Sequence, residues 1–142
     1  MLRQSIDSNI SVLDAHLMLG LAAVYQDDCH QAGTHFAWFA QHFPSPVANF
    51  GLALGAVCGG QRDRARQLLA QAEGGKGSGF VSPYQSAMVR AYLGEKDAAL
   101  EELGKSADAR EGQIFYISYD PAFDGIRNDS RFIGIEKRIG LK

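Results

Sequence analysis

The stretch 19-LGLAAVYQDDCHQAGTHFAWFAQHFP-44 decides how this chain folds. Gly20 lies in an apolar run; Ala32 follows twelve residues later, Phe36 comes one helical turn beyond it, and Pro44 closes the stretch. A small residue in a first helix lets a second helix approach closely. Ala32 and Phe36, four apart, share the face that turns back toward that crossing. One such stretch describes a helical hairpin, and its recurrence along the chain describes a fold.

Leu52-Ala53, Gly60, Ala65 and Leu69 form a second copy, and Ser86-Ala87, Gly94, Ala99 and Leu103 a third, so that Ala32, Ala65 and Ala99 stand 33 and 34 residues apart. Self-similarity at such a period marks stacked supersecondary units, none of which buries its apolar face alone. Gly60 and Gly94 fall where a first helix must end and reverse, which favours a residue free to turn left-handed. The pattern predicts helices over 12–26, 30–43, 46–59, 62–73, 82–93 and 96–108. Ser45 is placed to cap the third with Pro46 at its first position, and Ser82-Pro83 repeats that signal for the fifth. The glycine-rich run 74–79 stops the fourth, because glycine loses too much backbone freedom to hold a helix.

These residues resemble the tetratricopeptide repeat family, over about two thirds of the chain. Copy one matches the family at Leu19-Gly20, Ala32, Phe36 and Pro44, copy two at Gly60, Ala65 and Ala72, and copy three at Gly94 and Ala99. It departs from the family at Asp27, where glycine is usual, at Phe39, where alanine is usual, and at Arg90, where tyrosine is usual. The resemblance implies an all-α fold: an antiparallel helix-pair solenoid of three repeats (about 13–46, 46–79 and 80–111) in one domain spanning 1–142. A capping segment, 112–142, completes it. Within that segment, Asp120-Pro121, Phe123, Arg127, Asp129 and Arg131-Phe132 resemble the segments that close such repeats in bacterial signalling and transcription regulators. They read as two short helices capped by Asp120 and Asp129. Ile126, Phe132, Ile133, Ile135 and Ile139 would cover the open end of the stack, as a terminal repeat requires.

In this family the first helices line a concave groove. Carried over by offset, that groove takes Leu17, Met18, Leu21 and Tyr25 from copy one, Phe50 and Leu54 from copy two, and Tyr84, Gln85, Met88 and Tyr92 from copy three. It lacks the Lys, Arg and Asn donors that clamp a carboxylate. The expected partner is therefore a hydrophobic or amphipathic peptide segment or an adjacent domain, with the two methionines supplying adaptable contacts. A second copy of the chain, making a homodimer, is another way to cover such a face. His35, Trp38 and His42 share another helix face, read either as a second recognition surface or as packing against the N-terminal segment. The implied role is a scaffold or sensor module, with a free-standing adaptor or chaperone for a secreted or insoluble protein as the alternative.

Composition excludes other classes. A net charge of −2, with Arg62, Arg64 and Arg66 interrupted by Asp63, gives no concentrated cationic face for nucleic acid. No run approaches the roughly 18 apolar residues that span a bilayer, and residues 1–20 lack the pattern of a secretory signal. Cys29 and Cys58 fit no zinc spacing and read as free thiols of a cytoplasmic protein. Cys29, His30 and His35 straddle a turn without a carboxylate partner, so no metal is expected. The glycine run lacks the order of a phosphate loop. No nucleophile has a base beside it in the pattern, so no enzyme and no cofactor are expected.

Overall fold

The computed structural model describes residues 9–74 and 81–142, with side chains from Val12 onward. All regular structure among them is helical: α1 (Asn9–Tyr25), α2 (Cys29–His42), α3 (Pro46–Cys58), α4 (Arg62–Glu73), α5 (Pro83–Tyr92), α6 (Lys96–Asp108) and α7 (Ser130–Arg138), with 3₁₀ turns at Gly112–Tyr116 and Pro121–Ile126. The chain divides into two compact units, Met1–Phe80 and Val81–Lys142.

The first six helices begin and end within three residues of the expected positions, because their boundaries are written in local chemistry. The Ser45 hydroxyl accepts from the Ala48 N–H, with Pro46 at the first helical position of α3. The Ser82 hydroxyl accepts from the Gln85 N–H, while the Gln85 side chain accepts from the Ser82 N–H, a reciprocal capping box opening α5. Gly74 ends α4, its N–H donating to the Ala70 carbonyl. The rest of the glycine run lies outside the described residues.

The same turn ends α1, α3 and α5. Asp27, Gly60 and Gly94 each adopt a positive φ, of 61°, 82° and 77°. The next N–H in each case reaches back five residues, from Asp28 to Ala23, Gln61 to Ala56 and Glu95 to Arg90, at 2.8–2.9 Å. These bonds satisfy carbonyls that the helix end would leave unpaired. Two of the turns use glycine, which takes this conformation without a Cβ clash. The first uses Asp27.

In the first unit α1 packs on α2, α3 on α4, and α2 and α1 both meet α3. Phe36 on α2 sits at their crossing, almost closed to solvent. A Cβ built on Gly20 of α1 would lie 2.5 Å from its ring, and one built on Gly51 of α3 would lie 2.7 Å away. No side chain fits either place, so two helices close on one aromatic ring because both present bare backbone. Ala32, Ala53 and Ala65 are fully buried around the same crossings. Cys29, the first residue of α2, is joined by a disulfide to Cys58, the last of α3, with Cα atoms 5.4 Å apart. This corrects the expectation of free thiols. A bond between residues 29 apart in the chain leaves no spacing signal, and its partners meet only once α2 and α3 lie side by side.

In the second unit α5 packs on α6, the turn at Pro121–Ile126 lies against α5, and α7 lies against α6. Each motif residue of the tail has work within this unit. Asp120 caps the 3₁₀ turn through the Ala122 N–H and accepts the Tyr84 hydroxyl at 2.6 Å. Arg127 donates to the carbonyls of Ile117, Ser118 and Asp120 and pairs with Asp124. Asp129 caps α7 and accepts from Arg131, which also reaches Asp97 of α6. That guanidinium holds the Asp129 carboxyl far below the usual carboxylate range. Phe123 and Phe132 are fully buried, and Ile126 and Ile135 nearly so.

The Gly20–Phe36 contact sets a test. Alanine in a helix interior ordinarily gains roughly 1 kcal/mol over glycine, whereas overpacking costs about 1–3 kcal/mol. Gly20→Ala is expected to lower stability in urea denaturation, and adding Phe36→Leu to recover part of the loss.

Candidate functional site

The ten groove residues fall on three helices with different fates. On α1, Asp14, Met18, Ala22 and Tyr25 are exposed. Spaced four, four and three apart, they form one stripe. Met18 is 61% and Tyr25 40% exposed, and Leu17 and Leu21 flank them half-buried. On α3, Phe50 and Leu54 are at 1% and 0% exposure, closed to solvent.

On α5, Tyr84 and Met88 are 3% and 4% exposed. Tyr84 is held from three sides: its hydroxyl donates to Asp120, its N–H donates to the Glu111 carboxylate, and its ring meets Phe123 edge-on at 5.5 Å. The Gln85 amide is committed to the capping box. Tyr92 is half-buried, and burial, then the nearby Asp120 and Asp124 carboxylates, push its hydroxyl well above the ordinary range. It is a neutral phenol, suited to hydrogen bonding and not to acid–base work near neutral pH.

The second surface is an aromatic stack. The Trp38 ring lies between His16 of α1 and His42 of its own helix, each with its centroid 3.9 Å away and rings nearly parallel. His42 Nδ1–H donates to the Trp38 carbonyl at 2.8 Å. His16 Nδ1 meets His35 Nδ1 at 3.0 Å, a contact that needs one N–H and one lone pair. Sequence reading grouped His35, Trp38 and His42 by helix face. It missed His16, which belongs to another helix and shares no periodicity with them. The stack is thus partly used in fastening α1 to α2.

A cleft of about 620 Å³ opens beside the disulfide, lined by Cys29, His30, Gly33, Phe36, Gly55 and Arg64 among others. The Asp27 carboxylate and the two disulfide sulfurs of Cys29 and Cys58 lie within 4.8 Å of one another. The disulfide removes the free-thiol argument behind a cytoplasmic placement, since such bonds persist in oxidising surroundings. Among the described residues no helix is long and apolar enough to cross a membrane.

Comparison with protein-family models, with curated proteins and with solved structures gives no match. The geometry of these side chains therefore carries the functional argument.

The histidine cluster sets the second test. Burial, followed by the neighbouring His35 and His42, lowers the His16 imidazole below its ordinary 6.5. As pH falls through that value the unfolded chain takes up a proton at His16 before the folded chain does. The stability contributed there is complete above about pH 6.5 and declines below it. The urea midpoint is expected to fall between about pH 7.5 and pH 5.5, and to fall less in His16→Gln.

Proposed function

We propose that this chain is a short tetratricopeptide-type interaction module, not an enzyme, that binds a hydrophobic or amphipathic protein segment along the outer stripe of α1. The observation that carries this reading is the exposure of Met18 and Tyr25 on one helix face, with Leu17 and Leu21 beside them. Apolar side chains scattered singly over a surface need no explanation, but a helical stripe of them does. Methionine adapts to varied partners, and tyrosine offers a large apolar body with a polar tip. Asp14 at one end of the stripe gives a partner helix a charge against which to set its register.

The repeat-family reading draws support from three turns of one geometry at a period of 33 and 34 residues. Phe50, Leu54, Tyr84 and Met88 serve this function as the packed support of their helices, since their side chains are closed to solvent. A sensor module within a bacterial regulator and a free-standing adaptor would use the α1 stripe in the same way.

Met18→Glu tests the reading, because a side chain this exposed can be changed with little cost to folding. Wild type is expected to capture a discrete protein from lysate of the source organism. Met18→Glu should lose that capture at least tenfold, roughly 1.4 kcal/mol or more, while Met18→Leu keeps it and all three melt alike. Equal capture by Met18→Glu would overturn it.

A further inference from the structure

Five turns share one backbone geometry, those that end α6 and α7 at Arg110 and Gly140 included, and three of the five use glycine for it. The exceptions are Arg110 and Asp27, and the Asp27 carboxylate stands 4.0 Å from Cys29 Sγ. With Cys58 it completes a set of three ligand atoms within 4.8 Å of one another. Two sulfurs and a carboxylate are the donors that borderline-soft divalent cations take, and zinc sites are built from them.

We propose that reduction of the Cys29–Cys58 bond turns this corner into a site for one thiophilic divalent cation, with Zn²⁺ the best fit, held by both thiolates and the Asp27 carboxylate. The reductant is a thiol or dithiol. It gives two electrons to the S–S bond, which breaks, and leaves as its own disulfide, while two protons are taken up to make two thiols. Cation binding then releases those two protons as the sulfurs become thiolates.

The geometry admits this. A tetrahedral zinc with Zn–S bonds of about 2.3 Å sets its sulfurs about 3.8 Å apart. Cα atoms 5.4 Å apart reach that span by rotating the two side chains, without moving either helix end. The Asp27 carboxylate, exposed on the turn, can approach from the solvent side. The fourth position is left to water, beside the cleft that His30 helps to line. Cation and disulfide are alternatives at one place: the oxidised protein ties α2 to α3 covalently, and the reduced protein ties them through the metal.

Co²⁺ is the probe, because thiolate-to-cobalt charge transfer is visible in the near ultraviolet. The chain is reduced with a phosphine, freed of it without oxygen, checked for helicity by circular dichroism, and titrated. One equivalent of Co²⁺ is expected to raise the band, Zn²⁺ to abolish it, and the oxidised protein to stay silent. Cys58→Ser should show no such band at one equivalent. Asp27→Gly installs the residue that the turns at Gly60, Gly94 and Gly140 use and so preserves the fold. Loss of an outer-shell partner already costs tenfold or more, so this variant should bind Co²⁺ at least about tenfold more weakly than reduced wild type. A folded reduced chain without the band, a band unchanged in Cys58→Ser, or wild-type affinity in Asp27→Gly would each overturn the assignment. So would a reduced chain that loses its helices and regains neither helicity nor the band with Co²⁺.

Discussion

The ring of Phe36 pressed against the bare backbone of Gly20 and Gly51 is the contact on which the first unit depends. A phenylalanine truncated in a core typically costs about 3–5 kcal/mol, yet the glycines matter as much as the ring. They let α1 and α3 close on α2 at a distance no other residue permits. The contacts between helices described in that unit presuppose this spacing. His16 reaches Trp38 and His35 only because α1 lies close along α2. Cys29 meets Cys58 only because α3 packs against α2. The α1 stripe is outermost because the opposite side of that helix, at Gly20, Ala23 and Val24, is spent on the crossing.

The second unit solves its packing through polar chemistry as well as apolar contact. Three carbonyls converge on the Arg127 guanidinium, a buried carboxylate, Asp120, takes both a capping N–H and the Tyr84 hydroxyl, and Asp129 and Arg131 fasten the start of α7. Irregular backbone near a core leaves carbonyls that no helix ladder satisfies, and a planar group with five donors is well shaped to serve several of them. The residues of the tail motif thereby each have a structural role within this unit.

How much of this could be read from the chain depended on the range of the chemistry. Ser45-Pro46, Ser82-Pro83, Gly60 and Gly94 mark boundaries by acting on backbone within a few residues, and helix limits followed closely from them. The 3₁₀ turn at Gly112–Tyr116 has no cap side chain of that kind and had no signal. Pairings across helices were illegible for the same physical reason. Cys29 with Cys58 and Tyr84 with Asp120 are 29 and 36 residues apart, and neither spacing reports a contact. Family offsets named Tyr84, Phe50 and Met88 as groove positions, but an offset gives a direction from the helix axis and not what lies in that direction. Met18 and Tyr25 carry the same kind of label and stand in solvent.

The placement of Phe123 and Phe132 bears on the order in which the chain acquires its shape during synthesis. The crossing of the first unit needs nothing later than α3 to bring Gly20, Phe36 and Gly51 together. The second unit centres on two rings that leave the ribosome about 30–40 residues after α5 does. Until they emerge, α5 and α6 carry an uncovered apolar face. Over that interval, a few seconds at ordinary translation rates of about 5–20 residues per second, the nascent chain holds one half whose crossing is complete and one whose central rings are still to come.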